Sequence, residues 1–369
     1  MRIVMKTALI FALIAIAFVA GCIGQQAGQP GEKELVKVGV IAPLTGGQAV
    51  YGEGMRKGLD MALNEVGNVR LVYEDEQSDA KAAVTAFTKL TDVDGVKVVI
   101  GPVLSGSVLA VAPLAEQKRV IVLSPTATAA KITDAGDYTF RIRETARLHG
   151  RAIAEYAISR NWTKAALMNA NAEAALSYAD TFDERFAELG GTVVAKELYE
   201  KDARDMRTQA EKVRAASSDF VYFTGFAADI GLAMKQLRQL GYEEPFLTTP
   251  AIEDKVFFTN AAGAAEAALY TSPFDPDAPA AAEFRQKYDQ AYNDSNFAWY
   301  VANAYDSLKL VSKIAEECGD DTGCFKQKLY ATRDYPGASG TFGFDEKGDV
   351  ARPLIFMSVR NDAFVKVAA

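Results

Sequence analysis

Between residues 36 and 248, short β-branched runs alternate with amphipathic or alanine-rich stretches, and this alternation narrows the possible folds more than any other feature of the chain. Residues 36–41, 71–74, 97–100 and 120–123 read as strands, with helical patterns over 80–90 and 107–117. In the stretch after Gly52, Met55, Leu59, Ala62, Leu63 and Val66 fall on one helical face. A second series follows Arg141-Ile142-Arg143, with helices over 147–159, 178–189, 205–215 and 229–240. Its strands read as 165–168, 192–197, 220–224 and 245–248, and Gly190-Gly191 and Gly241 stand where helix C-caps are needed. Such a pattern predicts an α/β fold with parallel sheets and right-handed crossovers. Three prolines in 272–279 interrupt it, and helices over 280–292, 298–317 and 324–331 precede a β-rich tail at 342–344, 354–359 and 364–367.

The stretch 98–131 contains two turns rich in hydroxyl groups, Ser105 and Ser107 in one and Thr126 and Thr128 in the other. Each follows a strand and leads into an alanine-rich helical pattern. Free N–H groups and the positive end of a helix dipole at such a place suit a small anion such as a carboxylate. The same hydroxyls serve equally well as plain helix caps.

Length and composition set the outer bounds. A chain of 369 residues has room for two domains, and 49% apolar residues supply a sizeable core. With 48 acidic and 40 basic residues and no basic block, nucleic acid is a poor partner. Arg2 and Lys6 precede an apolar run over 8–20, too short to span a bilayer comfortably and typical of a signal peptide. Val19-Ala20-Gly21-Cys22 resembles a lipobox, which implies cleavage before Cys22 and lipidation of its thiol; an uncleaved anchor or a plain secretory signal are the alternatives. Residues 23–33 have linker composition, and no later segment reads as membrane-spanning. Cys318 and Cys324 bracket a Gly/Asp-rich segment where an oxidising compartment would allow a disulfide, two free thiols being the alternative.

Several chemistries find no support. His149 is the only histidine and reads as a surface or hinge residue, without the spacing of a hydrolytic triad or a zinc site. Nucleotide-loop spacings are missing from the turn at Gly101. Tyr73-Glu74-Asp75-Glu76 reads as a solvated strand end rather than a cation site. The expectation is a protein with no enzymatic activity, no cofactor and no metal.

Taken in order, Val36-Lys37-Val38-Gly39-Val40-Ile41-Ala42-Pro43-Leu44-Thr45-Gly46, Tyr51-Gly52, Val99-Ile100-Gly101-Pro102, Ser124-Pro125-Thr126-Ala127-Thr128, Asp219-Phe220-Val221-Tyr222, Ala304-Tyr305-Asp306 and Phe344-Asp345-Glu346-Lys347-Gly348-Asp349 carry a family resemblance. The chain resembles periplasmic binding proteins of the Leu/Ile/Val-binding group, the type I solute receptors of ABC importers. The resemblance covers essentially the whole mature chain. Beside the signal peptide over 1–21 and the lipidated N-terminus and linker over 22–34 read from the residues, it implies two doubly wound lobes joined by a three-crossover hinge. One lobe would take 35–146 and 273–352, the other 147–272 and 353–369.

The resemblance further implies that Ser105, Thr126 and Thr128 hold a ligand carboxylate, with Leu104 and Ala127 beside them and Tyr51 bordering the pocket. The second lobe departs from the pattern of amino-acid binders. Asn169 to Ala175 lacks the usual Tyr-Gly pair, and Phe226 stands where a tyrosine is common. The acid that pairs with a ligand ammonium aligns near Thr249-Pro250; Glu253, three residues on, either supplies that charge or is an ordinary solvated acid. If neither Glu253 nor Glu173 reaches the cleft, a carboxylate or a neutral amide fits better than an α-amino acid. The implied function is that of a monomeric extracytoplasmic lipoprotein, anchored to the membrane by lipid. It would bind a small polar solute, an amino acid of the branched-chain type or a related carboxylate or amide, and deliver it to an ABC permease. A receptor of the same fold that signals occupancy to a membrane sensor is the alternative.

Overall fold

The computed structural model describes residues 35–293 and 298–368; the leader, Cys22 and the linker expected above lie outside them. Strand β1 (Val36–Ala42) has its last five residues buried, as expected of a strand covered on both faces. Helix α1 (Ala49–Leu63) leads to β2 (Val69–Asp75), and α2 (Ala80–Asp92) to β3 (Val98–Ile100). Asp79 starts α2 by accepting the N–H groups of Lys81 and Ala82. Helix α3 (Ser105–Lys118) then leads to β4 (Ile121–Ser124) and β5 (Thr139–Arg141). These five strands form one parallel sheet in the order β2-β1-β3-β4-β5, with Val38 in register with Leu71 on one side and Val98 on the other.

The second hydroxyl-rich turn corrects the sequence reading, because no α-helix begins there. After Ser124 the chain forms only a five-residue 3-10 turn, Ala130–Asp134. Ser105 Oγ accepts the N–H groups of Thr128 and Ala129 at 3.1 and 3.2 Å, and Arg141 Nη1 donates to the Ala129 carbonyl at 2.8 Å. Backbone groups that an α-helix would need are thus engaged by side chains from elsewhere, and local propensity loses to tertiary bonding.

Beyond β5 the chain enters a second sheet. Helix α4 (Ala146–Ser159) precedes β6 (Lys164–Ala170), α5 (Glu173–Glu188) precedes β7 (Thr192–Tyr199), and α6 (Arg207–Ala215) precedes β8 (Phe220–Thr224). Helix α7 (Ala227–Gln239), β9 (Phe246–Thr248), α8 (Lys255–Ala261) and β10 (Leu269–Ser272) complete this series. Helices α9 (Pro279–Tyr292), α10 (Trp299–Cys318) and α11 (Thr322–Ala331) follow, then a small antiparallel pair, β11 (Tyr335–Gly337) and β12 (Gly340–Phe342). The chain ends in the hairpin β13 (Ile355–Arg360) and β14 (Ala363–Val367), which extends the second sheet to the order β14-β13-β10-β9-β8-β6-β7.

Although it follows the second series, α10 packs against the first sheet. Val301, Leu308 and Val311 share a core with Val38, Val98, Met55 and Leu59. Gly58 permits that approach, since a Cβ there would stand 2.2 Å from the Val301 carbonyl oxygen. Cys318 and Cys324 are joined in a disulfide between the end of α10 and the start of α11, with Cα atoms 5.6 Å apart. The chain passes between the two sheets three times: after β5, after β10 and before β13. Among the described residues, no helix is long and apolar enough to cross a membrane.

Candidate ligand-binding site

A cavity of about 290 Å³ lies where loops at the C-terminal ends of strands from both sheets face each other, the usual place for a ligand in open α/β sheets. The first half contributes Tyr51 from α1, Leu104 and Ser105 from the start of α3, and Thr126 and Thr128 after β4. Asn171 to Ala175 after β6, and Gly225 and Phe226 after β8, form the facing wall. Arg143, Tyr178 and Trp299 complete it.

Hydrogen bonds brace the hydroxyl wall from within. Ser124 Oγ donates to the Pro102 carbonyl at 2.7 Å and Thr126 Oγ1 to the Val103 carbonyl at 2.6 Å, while Ser105 Oγ accepts the two amides already described. Ser105 keeps its hydroxyl proton, and Thr126 its lone pairs, for a further partner.

Glu76 lies fully buried beneath the start of α3, where it accepts the Val103 N–H at 3.0 Å. Burial pushes its carboxyl up to about 7, against the pull of the Ser107 hydroxyl and the Val103 and Leu104 amides. Asp75 is also engaged: it accepts the amides of Leu44 and Thr45 and the Thr45 hydroxyl, the last at 2.6 Å. The acidic run 73–76 is therefore a structural device for the loops rather than a solvated strand end. No cluster that could hold a metal ion exists among the described residues.

Hydrogen bonds join the two walls across the mouth of the cavity. The Tyr51 hydroxyl donates to the Ala251 carbonyl and accepts the Ala227 N–H, both at 3.3 Å. Gln48 Nε2 donates to Asp202 Oδ1 at 2.7 Å, Lys201 Nζ to the Ser78 carbonyl at 2.6 Å, and Tyr300 to Asp254 Oδ2 at 2.6 Å. Trp299 Nε1 donates to the Pro250 carbonyl at 2.9 Å. Lys131 and Glu173 pair on the outer rim at 3.3 Å.

Of the residues expected from sequence, Tyr51, Leu104, Ser105, Thr126, Thr128 and Phe226 come together on the cavity wall. Ala127 and Glu253 do not. Ala127 is buried behind the wall, its N–H donated to Ser124 Oγ at 3.2 Å. Glu253 follows the short turn Pro250–Ile252, and burial pushes its carboxyl up to about 7, while Arg143, Ser272 and Tyr270 pull it down. His149 is not on the surface: it is buried just after the crossing that follows β5, with Nδ1 2.8 Å from Thr271 Oγ1 near the end of β10. Burial, with Arg143 adding to it, holds the imidazole well below its ordinary value, so the ring is neutral.

The residue that sequence reasoning missed is Arg143. It was visible only as part of Arg141-Ile142-Arg143, a boundary between two series of elements. Two arginines at an alternating spacing, in a short crossover next to a hydroxyl-rich turn, were the available signal.

The family model described as periplasmic binding protein matches residues 35–363. The Leucine-, isoleucine-, valine-, threonine-, and alanine-binding protein of Pseudomonas aeruginosa is 27% identical, over 86% of this chain and 87% of its own length. The crystal structure of the leucine binding protein LivK from Thermotoga maritima superposes with a TM-score of 0.85 at 27% identity, covering 90% of this chain and 98% of that one. A solute binding protein of an ABC transporter from Rhodopseudomonas palustris BisB5, in complex with 3,4-dihydroxy benzoic acid, shares the fold with a TM-score of 0.82 at 20% identity, covering 90% and 96% of the two chains.

Proposed function

Because the chain belongs to the periplasmic binding protein family, and so is a solute-binding protein that works outside the cytoplasm, we propose that it captures a small carboxylate-bearing solute and hands it to an ABC permease. The solute is an amino acid or a close chemical relative, in line with the relatives' names. One observation carries this reading: a cavity between facing strand ends, with hydroxyl groups on one wall and Tyr51, Leu104 and Phe226 supplying apolar surface. Enclosure removes competing water, so hydrogen bonds to the ligand strengthen.

In this reading the lobes are 35–146 with 273–352 and 147–272 with 353–369, and the three crossings between sheets act as the hinge. Closure joins Tyr51 to Ala251 and Ala227 and turns occupancy into a shape that a permease can read. Lipid on Cys22 would keep the protein beside that permease.

The test is the ligand itself. Protein purified from its source is denatured, the released small molecule is identified by mass spectrometry, and the stripped protein is screened by thermal melting against amino acids, amides and carboxylates. A ligand at one hundred times its Kd stabilises by about 2.7 kcal/mol, a readily measured rise in Tm. Silence across all three classes breaks the reading.

A further inference from the structure

Arg143 is 1% exposed, yet none of its three guanidinium nitrogens has a hydrogen-bond partner. The guanidinium lies over the Trp299 indole, 3.8 Å from the ring centre, and both side chains belong to the cavity wall. Stacking of this kind covers one face of the group and leaves its N–H edges for another partner. The nearest carboxylate oxygen is Glu144 Oε2, 3.7 Å from Nη1. The other oxygen of that carboxylate accepts from Arg352 Nε at 2.5 Å. One carboxylate thus serves two guanidinium groups; Arg352 has Asp306 nearby as well, and Arg143 is left without a hydrogen-bonded partner.

Neighbouring groups do not supply one. His149 is neutral, and Glu253, which Arg143 pulls down and which has one buried oxygen without a hydrogen-bond partner, forms no ion pair with Arg143. On the wall itself, Asp79 is exposed and caps α2, Glu173 pairs with Lys131 on the rim, and Lys201 is tied to the Ser78 carbonyl. The cavity wall therefore carries one buried cation and no buried carboxylate. Arginine cannot shed its proton to escape burial, so the charge calls for an anion.

We propose that Arg143 receives the ligand's carboxylate through its guanidinium fork and that the protein selects carboxylate anions lacking an ammonium group. An α-amino acid would bring a cation into a wall that offers it no buried acid, whereas a simple carboxylate balances Arg143 and lays its body on Tyr51, Leu104 and Phe226. The inference rests on the solute-binding reading and names the ligand class for the same site.

Matched probes test it. Calorimetry on ligand-stripped protein compares leucine, 4-methylpentanoate and 4-methylpentanamide, then benzoate and benzamide. A carboxylate binds at least about tenfold tighter than its amino-acid and amide counterparts. Arg143→Met weakens carboxylate binding by roughly one hundredfold, and Arg143→Lys, which keeps the charge and loses the fork, by about tenfold. Without ligand, the Met variant melts no lower than the wild type, because an uncompensated buried cation has been removed. Three results overturn the proposal: leucine binding more tightly than 4-methylpentanoate, carboxylate binding unchanged in the Met variant, or a steep loss of ligand-free stability that makes Arg143 structural. Any of these leaves solute binding standing, while silence from every probe removes both readings.

Discussion

Arg141 and Arg143 lie two residues apart on the same crossover, both are buried, and their surroundings are built in opposite ways. Every nitrogen of Arg141 is bonded: Nε to Asp349 Oδ1 at 2.5 Å, Nη1 to the Ala129 carbonyl, and Nη2 to Asp349 Oδ2 at 2.9 Å and Thr133 Oγ1 at 2.7 Å. Arg143 has an indole beneath it and no hydrogen bond. A completed ion pair holds the fold together, and an incomplete one facing a cavity is where a ligand completes it. The acids teach the same lesson from the other side. Glu76 can answer burial by keeping its proton, an escape that arginine lacks.

The largest expected effect is on the completed pair. Arg141→Met strands Asp349 as a buried, unpaired carboxylate and lowers unfolding stability by roughly 3–5 kcal/mol in urea titration. A loss no greater than that of Arg143→Met would erase the contrast. Next comes pH. The folded value of Glu76 is about 7 against 4.5 for the free side chain. Between those values the native protein binds more protons than the unfolded chain, so stability falls as pH rises through that window. Asp229 and Glu253, also raised to about 7 by burial, act in the same direction. Glu76→Gln removes one of these protons and raises stability at pH 8 by about 2 kcal/mol, a gain that fades towards pH 5; an equal gain at both pH values would show that ionisation is not the cause.

A smaller effect tests the hydroxyl wall. Ser105→Ala leaves the Thr128 and Ala129 amides without their acceptor, and the ligand-free protein loses about 1–2 kcal/mol. If only ligand affinity changed, Ser105 would belong with Arg143 rather than with Arg141. The smallest change is expected at the rim, where the Lys131–Glu173 pair is screened by water. Lys131→Ala shifts stability by about 0.5 kcal/mol or less, and a larger loss would show that the rim contributes to closure.

Strand and helix alternation was legible because strands covered on both faces read as short continuous apolar runs, as at 36–41 and 220–224, set between stretches with a helical stripe. Ser105, Thr126 and Thr128 could be picked out because they cluster in two turns after strands, whereas Tyr51, Leu104 and Phe226 came only from the family resemblance. The start of α5 was not legible, since Glu173-Ala174-Ala175 reads as loop beside Asn171 although it forms the first turn. Neither were β5, α8 and β10, which are too short to show periodicity. The second turn misled because the alanines over 127–130 favour a helix, and what prevents one is a serine and an arginine distant in sequence. Arg143 and Glu76 were hidden for a related reason. No spacing in a sequence tells which charged side chain turns inward without a partner.

The order of strands in the second sheet decides which edge a shortened chain would expose. Strand β10 exposes one edge until β13 pairs with it antiparallel, Leu269 opposite Ser358 and Ser272 opposite Ile355. Helices α9, α10 and α11 separate the two strands in sequence, and until β13 has docked the open edge can pair with a neighbouring chain. The hairpin of β13 and β14 is therefore the seal of the sheet, and a chain lacking it has an adhesive edge that the folded protein covers.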